Sequence, residues 1–277
     1  MGKRKVAGII IPTVDNSFFA GLAHYAECCL YEKGYRTMIC SSANDAEKEK
    51  EYLRTLAGNE AEGILCVSGL STLEDGLLPE DFPFVWVDRH PSSSRPIPWV
   101  ANDDRAAMEE AAEYLVEKGC RNILLMPGYL AEKSESPRVE GYRQALKKCG
   151  IEWNPKYILN RSGQGSSEKE TEELVRGIIR EGCPVDGIIT SSDRAAFGAI
   201  AALRSVGLYV PEDVKLISFD NSPYSAMASP AITALDRKPK QLAEEACEIL
   251  LAMMEGGEPP CMEKIVPVVL EKRDSTR

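Results

Sequence analysis

Short apolar runs alternate with longer segments of helical pattern along nearly the whole chain. Eight of these runs have the character of strands, at residues 6–11, 37–40, 63–67, 84–87, 122–126, 187–190, 214–219 and 266–270. They are continuously apolar, which is typical of parallel strands that are covered on both faces. The repeated order of strand, helix, glycine and strand predicts an α/β fold with doubly wound parallel sheets, and the number of strands suits two sheets better than one.

Three of the intervening segments carry helix signals at both ends. They begin at Asn16 or Ser17, at Asp103 or Asp104, and at Asp193, residue types whose side chains cap helix N-termini. They end before Gly34, Gly119 and Gly207, where glycine accepts the left-handed conformation that closes a helix. We expect helices that begin at these caps and end at about residues 33, 118 and 206.

Composition and charge exclude several classes of protein. The chain has 277 residues, of which 44% are hydrophobic, enough for one large core or two lobes. Its formal net charge of -10 repels DNA phosphates, so the chain as given is a poor candidate for binding nucleic acid or an anionic membrane by itself. No segment has the ~20 apolar residues that span a membrane, and no signal peptide is visible.

The cysteine and histidine content points to a reducing compartment. The 9 cysteines are scattered without a C-x-x-C pair, and there are only 2 histidines. This pattern favours free thiols in a cytoplasmic protein over a disulfide framework, and it argues against a structural zinc site. We expect neither a metal nor a cofactor.

No catalytic motif is present, and the polar residues that could meet lie where predicted strands end. The sequence has no G-x-S-x-G, no G-x-x-x-x-G-K-[ST] and no H-E-x-x-H. The candidate ligand-binding residues at these ends are Phe18, Phe19, Asp103, Ser134, Arg138, Ser192, Asp193 and Asp220. The carboxyl ends of parallel strands share one edge of a sheet, so these side chains can converge on a crevice. Carboxylates and an arginine bind hydroxyl groups, and aromatic rings cover an apolar face.

Several of these residues have structural alternatives. Asn16 and Asp103 could serve only as helix caps, and one of Phe18 and Phe19 is expected in the core because neighbours on a helix point in different directions. Asp220 could belong to a turn at the end of a strand. Arg138 is expected in the first turn of a helix, where a cation opposes the helix dipole, so a purely structural role is less natural for it.

Nine segments, in order, match a known pattern. They are I-I-I-P-T-V-D-N-S-F-F-A (9–20), K-G-Y (33–35), V-D-R (87–89), N-D-D-R-A-A (102–107), R-V-E-G-Y-R-Q-A-L (138–146), S-D-R-A-A-F-G (192–198), V-P-E-D-V (210–214), F-D-N (219–221) and S-P-A-I-T-A-L (229–235). Together they resemble the effector-binding region of the lactose/galactose repressor family of bacterial transcription regulators. The resemblance covers nearly the whole chain.

The resemblance implies a fold like that of periplasmic sugar-binding proteins, with two doubly wound lobes joined by three crossovers and a ligand between them. Mapped here, one lobe takes residues 3–118 plus 233–255, and the other takes 119–232 plus 259–273. Helix 240–254 returns to the first lobe and strand 266–270 to the second. The family also has a DNA-binding headpiece, for which there is no room before the strand at residue 6, and we favour truncation over natural loss.

The resemblance implies a sensor and not an enzyme. We expect a homodimer that binds a small polar effector, a sugar or a sugar derivative, and controls operator DNA binding through the headpiece. Asn16, Phe18, Phe19, Asp103, Ser134, Arg138, Ser192 and Asp220 match ligand-contacting positions of the family, although Ser192 stands where the family often has Asn. The alternatives are a sugar-binding receptor of an ABC-type transporter and, less favoured, an α/β enzyme.

Overall fold

The computed structural model of the protein describes residues 5–128, 136–162 and 166–277. The chain divides into two compact units, Met1–Asn102 with Lys238–Pro267 and Asp103–Arg237 with Val268–Arg277. It therefore passes from one unit to the other three times, as the predicted crossovers require. Within the described ranges no helix is both long enough and apolar enough to cross a membrane.

The described residues form eleven strands and eight α-helices. The strands are β1 (Val6–Ile11), β2 (Arg36–Ser41), β3 (Gly63–Cys66), β4 (Phe84–Val87), β5 (Trp99–Asn102), β6 (Ile123–Leu125), β7 (Gly187–Thr190), β8 (Lys215–Phe219), β9 (Thr233–Asp236), β10 (Glu263–Val266) and β11 (Val269–Glu271). The helices are α1 (Ser17–Glu32), α2 (Ala46–Thr55), α3 (Asp104–Glu117), α4 (Pro137–Lys148), α5 (Ser167–Arg180), α6 (Asp193–Ser205), α7 (Pro223–Met227) and α8 (Pro239–Met254).

The first unit contains a parallel sheet of six strands in the order β10-β5-β4-β3-β1-β2. Alternate side chains of β1 enter different cores. Ile9 and Ile11 pack with α1 and α8 in one cluster, whereas Ile10 packs with Leu53 of α2 in the other. The sheet is therefore covered on both faces, which is why its strands read as continuous apolar runs.

The second unit contains a sheet in the order β11-β9-β8-β7-β6, in which only the β11–β9 pair is antiparallel. Beyond β6, the backbone at Ile158 forms a parallel bridge to Leu125. The chain thus continues on one side of β6 and then crosses to β7 on the other. Such a reversal is a topological switch point, where α/β proteins place their ligands.

The predicted helix ends agree with the structure with one exception. Gly34, Gly119 and Gly207 all have positive φ, and they follow α1, α3 and α6 as C′ residues. The exception is α6, whose N-cap is Ser192 and not Asp193. The carboxylate of Asp193 is instead buried, and it accepts a hydrogen bond from the backbone N–H of Ser222.

The units divide at places other than the predicted lobe boundaries 3–118 plus 233–255 and 119–232 plus 259–273. Helix α3 lies in the second unit because its buried face shares a core with α4, and β9 lies there because it pairs with β8. The single strand predicted at 266–270 is wrong. It is two strands, β10 beside β5 and β11 beside β9, and Pro267 between them has no N–H to donate to a ladder.

Candidate functional site

Arg138 lies at the switch point of the second unit, in the first turn of α4. Its Nε donates to Asp104 Oδ2 at 2.7 Å, and its Nη1 donates to the carbonyl oxygen of Pro127 at 3.3 Å. The guanidinium carbon is 3.9 Å from the centroid of the Phe219 ring, in cation–π contact. Arg138 is half-buried and held in one orientation by a carboxylate, a carbonyl and an aromatic face.

A second ion pair lies beside the first. Asp220 directly follows β8 and is only 7% exposed, with a left-handed backbone at φ +95. Arg237 directly follows β9 and is only 3% exposed. Its Nη1 is 3.6 Å from Asp220 Oδ1, and its Nε is 4.0 Å from Asp104 Oδ1. Asp104, Arg138, Phe219, Asp220 and Arg237 together form what we call the second-unit cluster.

The turn that carries Asp220 is held by a second layer of polar contacts. Asp193 accepts from the backbone N–H of Ser222 at 2.6 Å and from the hydroxyl of Ser218. Burial raises the pKa of Asp193, while these hydrogen bonds act in the opposite direction. Arg273 donates to Asn221 Oδ1 at 2.6 Å. The end of β8 is therefore anchored by residues that are distant in sequence.

In the first unit, the predicted aromatic pair lies at the start of α1. Asn16 caps this helix, because its Oδ1 accepts from the N–H groups of Phe18 at 2.8 Å and Phe19 at 3.2 Å. Phe18 is 2% exposed and Phe19 is 7% exposed, so both rings belong to the core. Phe19 also faces the guanidinium of Arg89, which is 5.3 Å from its ring centroid. Phe19 therefore contacts a charged group as well as the core.

A buried carboxylate lies near Arg89 at the ends of β3 and β4. Glu49 is fully buried and accepts from the N–H of Gly69 at 2.7 Å and from the hydroxyl of Ser68. Burial raises the pKa of Glu49, whereas the hydrogen bonds and the charge of Arg89 act to lower it. We call Phe19, Glu49, Ser68, Gly69 and Arg89 the first-unit cluster.

The predicted residues are divided between the two units. Arg138 and Asp220 meet in the second-unit cluster. Asp103 caps α3 by accepting from the N–H of Ala106 at 2.9 Å, and Ser192 caps α6 by accepting from that of Ala195 at 3.3 Å. Asn16, Phe18 and Phe19 belong to the first unit, and Ser134 lies outside the described residues. Ligand contact by these eight residues stays a prediction.

Four charged residues of the two clusters were missed by the sequence reasoning: Glu49, Arg89, Asp104 and Arg237. Arg89 ends the V-D-R segment and Asp104 follows Asp103, so both were within quoted motifs. Arg237 follows a strand that was not predicted, and Glu49 lies in a helix that was not predicted. Among the residues that the structure describes, no group of three or more His, Cys, Asp or Glu side chains could hold a metal ion.

Comparison with known proteins finds a matching domain family and similar transcriptional repressors. The periplasmic binding protein-like domain family matches residues 112–276. The HTH-type transcriptional repressor PurR of Aliivibrio fischeri is 29% identical over 252 residues, which cover 89% of this chain and 74% of that protein. The ribose operon repressor of Halalkalibacterium halodurans is 27% identical over 274 residues, covering 98% and 79%.

A solved structure agrees with these relatives. The periplasmic binding protein/LacI transcriptional regulator of Alkaliphilus metalliredigens, complexed with D-xylulofuranose, superposes with a TM-score of 0.84 at 26% identity. The match covers 99% of each chain. Both units of this chain are therefore included in the similarity.

Proposed function

The chain belongs to the periplasmic binding protein-like domain family, and we propose from this premise that it is the effector-binding core of a bacterial transcription regulator. The resemblance to the lactose/galactose repressor family is confirmed by relatives that are repressors and by a similar regulator structure. These relatives favour a regulator over a transporter receptor. They are also repressors and not enzymes, in keeping with the absence of a catalytic motif in the sequence.

We propose that the effector is a small neutral polar molecule, a sugar or a sugar derivative. The observation that carries this proposal is the alternation of charge in the second-unit cluster, where two guanidinium groups and two carboxylates neutralise one another. Hydroxyl groups can donate to the carboxylate oxygens and accept from the guanidinium groups, whereas an anion gains little from a neutral cluster. The similar regulator complexed with D-xylulofuranose supports this class.

Within the proposed site, Arg138 and Asp220 make the main polar contacts with the effector. Asp103, Ser192 and Asn16 fix the N-termini of their helices, and a carboxylate or amide oxygen that caps a helix still has lone pairs to offer a ligand. Phe18 and Phe19 contribute chiefly to the core. The position of the effector between two lobes, as the resemblance implies, stays a prediction.

We further propose that effector binding changes the affinity of a helix-turn-helix segment for operator DNA. Coupling of this kind is typically worth about 1–3 kcal/mol. We expect the protein to act as a homodimer in the cytoplasm, since two recognition helices of a dimer read two half-sites of DNA.

The test is calorimetry with a panel of D-ribose, D-xylulose, cellobiose and adenosine. We expect one of the sugars to bind, and we expect Arg138→Met and Asp220→Asn each to weaken binding by about tenfold to a hundredfold, since hydrogen bonds to charged groups are worth about 1.5–3 kcal/mol. Arg143→Met is the matched control. Arg143 is on the same helix, but its guanidinium packs on Trp153, 4.1 Å from the ring centroid.

The outcomes separate the parts of the proposal. Binding of a sugar by both cluster variants as tightly as by the parent would refute the site. Binding of none of the four compounds would refute the effector class, since adenosine is itself a neutral ribose derivative. Turnover of the bound ligand would refute the assignment as a sensor.

A further inference from the structure

Two thiols meet in the packing of α1 against α8, in the first unit. Cys247 belongs to the core cluster between these helices, Cys29 packs against that cluster, and the two thiols interact there. The Sγ of Cys247 also lies 3.6 Å from the carbonyl oxygen of Ala26. Cys29 is 13 residues along α1 from Asn16, which is roughly 20 Å at the rise of an α-helix. The thiol pair is therefore distant from the polar end of α1, and the proposed effector site does not use it.

Small residues line the contact between α1 and α8. A disulfide needs its two Cβ atoms at about 4 Å, closer than helices with large side chains at their contact allow. Here Ala23 and Ala26 of α1 share a core cluster with Ala243 and Ala246 of α8, and all four are buried. Such small side chains let two helices approach closely, which is what a link between Cys29 and Cys247 requires.

The two thiols differ in access. Cys29 is partly exposed, whereas Cys247 is buried. A reagent from solution therefore meets Cys29 first, and Cys247 is placed behind it. Cys28, the neighbour of Cys29, is also partly exposed. Its sulfur contacts His24 of the same helix, 3.9 Å from Nδ1.

We propose that Cys29 and Cys247 form a reversible disulfide that links α1 to α8 when the protein meets a low-molecular-weight disulfide such as oxidised glutathione. In the first step the Cys29 thiolate attacks one sulfur of the reagent, forms a mixed disulfide and releases one thiol. In the second step Cys247 attacks Cys29 Sγ and releases the second thiol. The protein loses two electrons and two protons, and the reagent is reduced to two thiols.

Electrostatics set the order and the speed of these steps. Burial, with the nearby carboxylates Glu244 and Glu32, raises the pKa of Cys29, and the hydrogen bond from Cys247 opposes this. Burial and the neighbouring Cys29 raise the pKa of Cys247 well above its usual value. Cys29 is therefore the first to become a thiolate. The reaction is slow at neutral pH, so the link accumulates only under sustained oxidising conditions.

The link has a structural consequence for the first unit. It closes a long loop of the chain and ties the helix that begins at Asn16 to α8, which begins just after a crossover between the units. We expect oxidation to raise the melting temperature by about 5 °C or more, as long-loop disulfides do. Hydrogen exchange in α1 and α8 should slow at the same time.

The experiment incubates the purified protein with oxidised glutathione, blocks the remaining thiols and identifies the joined tryptic peptides by mass spectrometry. We expect the peptide with Cys29 to be joined to the peptide with Cys247. Cys247→Ser should retain glutathione on Cys29, and Cys29→Ser should form no link at Cys247. Cys149→Ser, which removes an exposed cysteine, should form the link as the parent does.

The pH dependence adds a test that does not rely on removing a cysteine. Below the pKa of Cys29 the rate should rise about tenfold per pH unit, since the thiolate is the nucleophile. Glu244→Gln should speed the reaction about twofold or more, because it removes a charge that opposes the thiolate. Glu248→Gln makes the same change of charge on an exposed residue of α8 and should leave the rate unchanged.

Two results would overturn the proposal. One is a glutathione adduct on Cys29 that persists in the parent, since it would show that Cys247 cannot reach Cys29. The other is a link from Cys29 to any cysteine except Cys247. Either result would leave the proposed effector function untouched, because the two tests share no residue.

Discussion

Replacing Gly141 with alanine tests how the second-unit cluster is assembled. Gly141 lies in α4 where this helix crosses α3. A Cβ at this position would lie 2.1 Å from the carbonyl oxygen of Arg105 and 3.2 Å from the backbone nitrogen of Glu109. Both atoms belong to the α3 backbone and cannot rotate away. Carbon–oxygen contacts need about 3.3 Å, so the helices must separate by about 1 Å.

The cost follows from that separation. Alanine gains about 1 kcal/mol over glycine in a helix interior. Overpacking of a close contact costs about 1–3 kcal/mol, and the upper end applies because the obstructing atoms are backbone atoms. The net loss in the free energy of unfolding is therefore about 2 kcal/mol, or a melting temperature lower by roughly 5 °C.

The same movement affects the proposed effector site. Asp104 is on α3 and Arg138 is on α4, and their 2.7 Å hydrogen bond spans the contact that Gly141 permits. A separation of about 1 Å takes this pair beyond hydrogen-bonding distance. We therefore expect Gly141→Ala to weaken binding of whichever sugar the parent binds, although the residue itself contributes no polar group.

The assay is urea denaturation of the parent and of two variants. Gly177→Ala is the matched control, since Gly177 is also inside a helix, α5, but a Cβ there has nothing within 4 Å. This control should raise the free energy of unfolding by about 0.5–1 kcal/mol. If Gly141→Ala were as stable as Gly177→Ala, the argument from close helix approach would be refuted.

Two further predictions concern buried charge. Because burial raises the pKa of Glu49, its contribution to stability is complete below its unfolded pKa of about 4.3 and is lost as pH rises through the higher folded pKa. Between about pH 4.5 and about pH 7, the free energy of unfolding should therefore fall more in the parent than in Glu49→Gln. Equal falls in the two proteins, measured by urea denaturation at each pH, would contradict this. Arg237→Met should cost about 3 kcal/mol of stability, since it removes the cation that lies 3.6 Å from the buried carboxylate of Asp220. Adding Asp220→Asn should restore about 1 kcal/mol, and a double-mutant cycle without coupling would argue against direct pairing.

The sequence predicted the main strands because these are buried on both faces. Of the strands β1 to β8, all except β5 overlap an apolar run that local pattern alone identifies. The strands that local pattern missed or misplaced are short ones near the edges of the sheets. β9 and β10 have four residues each, and their pairing with β8 and β5 is decided by contacts that are distant in sequence.

The predicted lobe boundaries differ from the two units of the structure for a related reason. The boundary at residue 118 was mapped from the family resemblance, whereas α3 packs on α4 and lies in the second unit. Gly141 permits this close packing of α4 on α3. A glycine inside a helical pattern does not show which helix it will face. Helix periodicity predicts that α3 exists but not which unit it joins.

The candidate site shows the same limit at the scale of single residues. The rule that ligands bind at the carboxyl ends of strands selected Arg138 and Asp220, and it located them correctly at that edge of one sheet. It could not select between the adjacent acids Asp103 and Asp104. In the structure Asp103 caps the helix and Asp104 pairs with Arg138, because consecutive residues at a helix start point in different directions.

Arg138 has structural partners that the sequence did not show. From the sequence, a cation in the first turn of a helix was difficult to explain structurally, because it opposes the helix dipole. The structure supplies an explanation, since Asp104 neutralises that charge and Phe219 supports the guanidinium from one face. A structural role is therefore compatible with the proposed effector contact, and stability alone cannot separate them. Arg138→Lys separates them, because it keeps the charge beside Asp104 but loses the planar fork that binds two oxygens at once. If this variant keeps the parent's melting temperature but no longer binds the sugar, Arg138 is an effector contact. If its melting temperature and its affinity for the sugar fall together, the role of Arg138 is structural.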